Sequence, residues 1–72
     1  MKKNFKITII QNDGRDCTMK IEEWKTNRWV LFDVVDLDSQ VISEILVYEK
    51  DKASQGMFNL IIDDQRNHWM LC

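Results

Sequence analysis

The chain holds two glycines and no proline, and one of those glycines closes the triplet Asn12-Asp13-Gly14 between two stretches of alternating apolar and polar residues. Asn, Asp and Gly tolerate the left-handed backbone of tight turns, so the triplet predicts a β-hairpin. Read as a three-residue loop with Gly14 left-handed, it sets Gln11 opposite Arg15. Counting outward, Ile9 then faces Cys17, Ile7 faces Met19 and Phe5 faces Ile21, and every apolar partner falls on one side of the sheet. A two-residue Asp13-Gly14 turn would instead pair Ile10 with Cys17, Thr8 with Met19 and Lys6 with Ile21, which buries less.

A second turn lies at Lys25-Thr26-Asn27-Arg28. A two-residue loop at Thr26 and Asn27 sets Trp24 directly across from Trp29, next to the turn. The same register puts Ile21 against Phe32, Met19 against Val34 and Lys20 against Asp33. Both turns therefore predict a three-stranded meander of residues 4–11, 16–25 and 28–37. One of its faces carries Phe5, Ile7, Ile9, Cys17, Met19, Ile21, Val30, Phe32 and Val34. The two indoles lie on the reverse, with Thr18, Lys20 and Glu22 from the second strand and Leu31, Val35 and Leu37 from the third.

The end of the chain reads as another hairpin, turning at Gln65 and Arg66, with Ile62 against Trp69, Leu60 against Leu71 and Phe58 continuing that side. The segment between Asp38 and Gly56 carries two conflicting signals. Asp38 or Ser39 could cap a helix that stripes Val41, Ile42, Ile45 and Leu46 and stops near Gly56. Against this stand the β-branched residues Val41, Ile42, Ile45 and Val47 and the short apolar run Ile45 to Tyr48, which favour a strand. The fold expected is mainly β: an antiparallel meander of about six strands curled into a small barrel or sandwich. Its alternative is an α+β arrangement of three-stranded meander, helix within 39–54 and C-terminal hairpin.

Seventy-two residues support one domain, residues 1–72, with a single core. The net charge of −2 works against broad phosphate neutralisation. The apolar stretch Phe5 to Ile10 is broken by Lys6 and Thr8, so no secretion signal is read, and no run is long enough to span a membrane. The expected location is the cytoplasm, with Cys17 and Cys72 as free thiols.

Chemical signatures are sparse. Asp63 and His68 would face each other across the last hairpin, and Cys72 lies on the same side, so a Cys-His-Asp set can be drawn. It would sit where a strand end frays, and an Asp-His pair beside a turn is more often a surface contact. The acidic groups at Asp33, Asp36 and Asp38 and at Asp63 and Asp64 lack the calcium-loop spacing, and Gly14 and Gly56 form no phosphate-binding loop. No cofactor, metal or catalytic residue is assigned.

The paired indoles are the most informative feature: left open, an aromatic patch rimmed by charge marks an interaction site, whereas a covered pair only staples the hairpin. The expected function is a small non-catalytic module, an inhibitor or adaptor, that docks on a larger protein. In size and acidity the chain resembles phage or mobile-element anti-defence proteins, including the anti-CRISPR type, a resemblance of type that rests on no shared motif. Its partner would be met through a basic nucleic-acid-binding surface. The contact residues expected are Trp24, Trp29, Leu31, Asp33, Asp36, Asp38, Glu44, Asp63 and Asp64. The competing reading is a single-stranded nucleic-acid-binding β domain using Trp24, Trp29 and Phe32 with Lys20, Lys25 and Arg28. Open strand edges, protected by Lys2, Lys3 and Lys6, leave room for a homodimer.

Overall fold

The computed structural model describes residues 2–66. Strands β1 (Asn4–Asp13), β2 (Asp16–Lys25) and β3 (Arg28–Asp38) form the expected antiparallel meander, and helix α1 (Ser39–Ser54) follows. Strand β4 (Asn59–Asp64) then pairs in parallel with β1. The sheet order is β3-β2-β1-β4. The fold is mainly β as expected, but among the described residues it is a four-stranded mixed sheet with one helix: the six-stranded antiparallel barrel or sandwich is overturned, and the meander and the helix within 39–54 of the alternative are present. The reason is directional: β3 and β4 point the same way, and parallel strands must be joined by a crossover, usually a helix. The expected C-terminal hairpin partner, with His68, Trp69, Leu71 and Cys72, lies outside the described residues.

The segment 39–54 is helical because its end signals outweigh its β-branched interior. Asp38 adopts an extended backbone and its carboxylate accepts the N–H of Gln40 at 2.8 Å. At the other end Gly56, at φ +86°, donates to the carbonyl of Ala53 at 2.9 Å, and Met57 donates to Lys52 at 3.3 Å. Those two bonds are a Schellman closure, which needs a residue tolerant of left-handed backbone at the position of Gly56. The helix buries Ile42 and Leu46, while Val41, Val47 and Tyr48 remain exposed.

The first hairpin has the expected faces in a register shifted by two residues. Gly14 is left-handed at φ +56°, yet Asp13 pairs with Asp16, so the loop is Gly14-Arg15 and Asn12 is accommodated as a bulge. Gln11 consequently faces Cys17, Ile9 faces Met19, Ile7 faces Ile21 and Phe5 faces Glu23. A shift of two preserves the side of every side chain, which is why the apolar wall survives. Bonds from the Gln11 amide to the Gly14 carbonyl and from the Asn12 amide to Thr18 Oγ1 support the bulged turn.

The second hairpin turns as expected at Thr26 and Asn27, both with positive φ, and sets Trp24 against Trp29. Farther along, β3 is bulged: Glu22 pairs with Leu31 and Ile21 with Asp33, leaving Phe32 unpaired. One extra residue inverts everything beyond it. Met19 therefore faces Val35 instead of Val34, and Cys17 faces Leu37. Val34 moves to the opposite side from the expected wall, and Val35 and Leu37 take its place against the core.

Ile7, Ile9, Cys17 and Met19 from the sheet and Ile42 and Leu46 from the helix form the buried core, with Ile21, Val35, Leu37, Ile45, Leu60 and Ile62 packed around it. β1 lies in the middle of the sheet, so the edges belong to β3 and β4, and Lys6 does not protect an edge as expected. On β3 the bulge and the Asp33 carboxylate, which accepts the Val34 N–H at 2.9 Å, interrupt the edge instead.

Polar clasps hold the helix start to the sheet. Asp38 accepts from Arg15 at 3.1 Å, and the Ser39 N–H donates to the Arg15 carbonyl at 2.7 Å. Arg66 forks onto the Asp64 carboxylate with its Nε and Nη2, while its Nη1 donates to the Ser39 carbonyl at 3.0 Å and to Ser43 Oγ at 2.7 Å. A guanidinium at a helix N-terminus opposes the helix dipole, and the adjacent carboxylate of Asp64 compensates.

Candidate interaction surface

Because α1 packs against the wall carrying Ile9, Cys17 and Met19, the other side of the sheet has no described element over it. The registers arrange that open side in rows. Trp29 and Trp24 stand nearest the β2–β3 turn; next come Leu31, Glu22, Lys6 and Ile61, and then Val34, Lys20, Thr8 and Asp63. Asp36, Thr18 and Ile10 make a fourth row. Leu31 is 58% exposed, Ile61 53%, Val34 47% and Trp24 43%. Large side chains so exposed on one open sheet exceed the scattered apolar residues of an ordinary surface.

The indoles are ordered by their neighbours. Their rings meet edge to face with centroids 5.2 Å apart, and the Lys6 ammonium sits 5.2 Å from the Trp29 ring centroid. Each contact suits the ring quadrupole, whose face is negative and whose edge is positive. Lys20 lies 3.9 Å from Glu22, so the polar groups beside the indoles are partly paired.

Of the residues expected to act together, the structure gathers some and separates others. Trp24, Trp29 and Leu31 form one corner. Asp36 lies on the same side of the sheet at the far end, where its carboxylate accepts from Thr18 Oγ1 at 2.7 Å, and Asp63 lies on the outer strand β4. Asp38 caps the helix and Asp64 holds Arg66. Hydrogen bonding to Gln40 N–H, helped by Arg15, lowers the Asp38 pKa, and the Arg66 side chain lowers that of Asp64. Asp33 sits in the β3 bulge, and Glu44 is exposed on the helix.

The molecule is electrically two-ended. Its long dimension is 39 Å, matching strands of 10 to 11 residues laid along it. Toward the β2–β3 turn, the start of β1 and the end of α1 lie Lys2, Lys3, Lys6, Lys25, Arg28 and Lys52, against Glu22, Glu23, Glu49 and Asp51, a surplus of two positive charges, while Lys50 acts on Asp64. Toward the β1–β2 turn and the start of α1 lie Asp13, Asp16, Asp36, Asp38, Glu44 and Asp64 against Arg15 and Arg66, a surplus of four negative charges. The ends are farther apart than the ~8 Å screening length of physiological salt, so each presents its own field. The indoles belong to the lysine-rich end and most of the expected acidic contacts to the other.

The contact of Lys6 with Trp29 and the packing of Phe5 on Phe32 and Phe58 are features that the sequence reading did not assign. Lys6 follows from its place two residues from the start of an inner strand, whereas Phe32 keeps the side that alternation from Trp29 gives it and the bulge leaves it unpaired. The Cys-His-Asp set cannot be assembled here, because His68 and Cys72 lie outside the described residues; Asp63 accepts from the Gln65 amide at 3.0 Å. Among the described residues no cluster of three or more side chains suits a metal ion, and no helix is long and apolar enough to cross a membrane. Comparison with known proteins finds no matching family model, no matching curated protein and no matching solved structure.

Proposed function

We propose that the protein is a small non-catalytic binding module that docks on a larger protein through the open side of its sheet. The observation that carries this reading is the uncovered row structure in which Trp24, Trp29 and Leu31 share a corner. Aromatic anchors flanked by aliphatic residues and a polar rim are the composition of interface hot spots. An inhibitor or adaptor, including one of the anti-defence kind, needs no more chemistry than this.

The charge distribution refines the partner. Docking of the indoles brings lysines with them, so the surface that meets this corner is acidic. Docking on a basic nucleic-acid-binding surface would use the opposite end, through Asp13, Asp16 and Asp36, and would leave the indoles outside the contact. Affinity capture with the wild type and with a Trp24→Ala/Trp29→Ala double variant separates these. The reading expects a partner retained by the wild type and lost by the variant, with both proteins melting within a few degrees of each other. A partner retained equally by both would place the contact elsewhere.

Single-stranded nucleic acid is a second reading, favoured by the coincidence of the indoles with Lys6, Lys20, Lys25 and Arg28. Two contacts weigh against it: Lys6 already occupies a face of Trp29, and the indoles pack on each other instead of presenting parallel platforms. Anisotropy of labelled oligonucleotides at low salt decides, because binding of this kind weakens steeply as salt rises.

A further inference from the structure

The two sides of the sheet leave different surfaces. On the helix side Phe5 packs edge to face on Phe32 and Phe58, at 5.8 and 5.6 Å between centroids, and the three line a groove of about 240 Å³. Its charged lining is one Glu49 and one Lys52, and the Lys52 ammonium lies 4.7 Å from the Tyr48 ring centroid, so the groove selects nothing by charge. The open side does select. Its first two rows, Trp29-Trp24 and Leu31-Glu22-Lys6-Ile61, lie at the lysine-rich end. Its fourth, Asp36-Thr18-Ile10, lies at the acidic end, and Asp63 closes the third row on β4.

The Trp corner needs an acidic surface that also carries aliphatic groups, and the far half of the same side is one. Val34 and Ile10 are 47% and 41% exposed there, beside Asp36 and Asp63. Facing sheets pack ~10 Å apart with their strands roughly aligned. A copy turned end for end, about an axis that crosses the strands between the second and third rows, lays its fourth row on the indoles and its third row on the second. Leu31 then meets the copy's Val34, and Glu22 meets the copy's Lys20. Turning the copy about an axis along the strands would instead lay acidic end on acidic end, each with its surplus of four negative charges. Charge complementarity therefore chooses the antiparallel arrangement.

We propose that a second copy of this chain occupies the open side, packed face to face with its strands antiparallel. The inference rests on the reading of this side as a contact surface and adds a regulator of it, because pairing hides Trp24 and Trp29 and a larger partner must compete with the copy. Four strands ~4.8 Å apart, with rows spaced by two residues of ~3.4 Å each, present roughly 500 Å². A pair therefore buries roughly 1,000 Å² in all, the lower limit for a specific interface, so the dimer is weak and reversible.

Sedimentation velocity of the full chain tests the pairing. The wild type is expected to pass from monomer to dimer between about 10 μM and about 1 mM, with a Kd on the order of 100 μM. Leu31→Glu, at an exposed position, should raise that Kd at least about tenfold while melting within a few degrees of the wild type. The arrangement is read by mixing ¹⁵N-labelled wild type with an unlabelled Asp36→Cys/Cys72→Ser chain that carries a nitroxide; Cys17 is fully buried and stays unmodified. Antiparallel pairing should broaden the amides of Trp24 and Trp29 in the ¹⁵N-labelled chain. Broadening of Ile10 and Asp63 with the indole residues left sharp would overturn the proposal, as would a monomer at about 1 mM or an unchanged Kd for Leu31→Glu. A chain that stays monomeric, yet loses a captured partner on Trp24→Ala/Trp29→Ala, would strike the pairing and leave the docking reading standing. Dimerisation as expected, with a partner retained equally by that double variant, would support the pairing and strike the docking reading alone.

Discussion

The two ends of the sheet are built from similar residues and put to different uses. At the β1–β2 end, Ile9, Cys17 and Met19 meet Ile42 and Leu46, and two arginine clasps tie the helix start to the strands. At the β2–β3 end, Trp24, Trp29, Leu31 and Phe32 find no described layer above or below them, and the groove beneath Phe32 is open. One end spends its apolar surface on stability and the other keeps it for contact. The charge follows the same division, with the carboxylates clasped by arginine at the closed end and most of the lysines at the open one.

Substitutions should therefore sort by end. The largest loss is expected for Ile42→Ala, which empties a fully buried site between helix and sheet and should cost about 2–5 kcal/mol in chemical denaturation. If Ile42→Ala costs no more than a surface change, the closed end is not the core. Arg66→Ala comes next: it strips a largely buried fork from Asp64 and Ser43, and a loss of about 1–2 kcal/mol is expected after allowance for the partial exposure of Asp64. Arg66→Lys should recover little of it, because a single ammonium cannot reproduce the fork.

Acid sharpens the same contrast. The folded pKa of Asp64 lies below the ordinary carboxylate value, chiefly through Arg66, so its contribution is complete above about pH 4 and fades as pH falls through the folded pKa. Thermal melts from neutral pH downward should show the wild type losing stability on acidification more steeply than Arg66→Ala. Parallel curves would mean that the clasp does not carry the charge linkage.

Gly56→Ala should cost about 1 kcal/mol, since the nearest atom to an added Cβ is the Lys2 ammonium at 3.5 Å and the penalty is one of backbone conformation alone. The smallest effect is expected at the open end, where Leu31→Ser should move stability by less than about 0.5 kcal/mol. A large loss there would show that the exposed corner is part of the core after all, and would weaken the docking reading.

Most of the sheet was legible in the sequence, because turn residues and alternation act locally. Thr26-Asn27 fixed the Trp pair, and alternation kept Phe5, Ile7, Ile9, Cys17, Met19 and Ile21 on one side even though the first hairpin is displaced by two residues. The β3 bulge was not legible: nothing in Leu31-Phe32-Asp33 marks an extra residue, and its effect on Val34, Val35 and Leu37 depends on pairing with β2. The helix was legible at its ends and obscured in its middle, where β-branched side chains argued for a strand while Asp38 and Gly56 argued correctly for caps. The parallel return of β4 to β1 could not be read locally, since it depends on where a crossover lands. Of the candidate surface, the indoles were visible as a cross-strand pair, whereas Lys6 beside Trp29 and the Phe5-Phe32-Phe58 groove arise only after β1, β3 and the segment before β4 come together.

The central position of β1 sets the order in which this protein can be completed. Its partner on one side follows within a few residues, but Asn4 meets Asn59 only across a separation of 55 residues. A ribosome-bound chain that has made both hairpins still carries a bare hydrogen-bonding edge along Phe5 to Ile9, beside the core residues Ile7 and Ile9, until β4 has been synthesised. Assembly is therefore governed by a late, long-range closure, and the interval before it is when neighbouring nascent chains are most prone to join edge to edge.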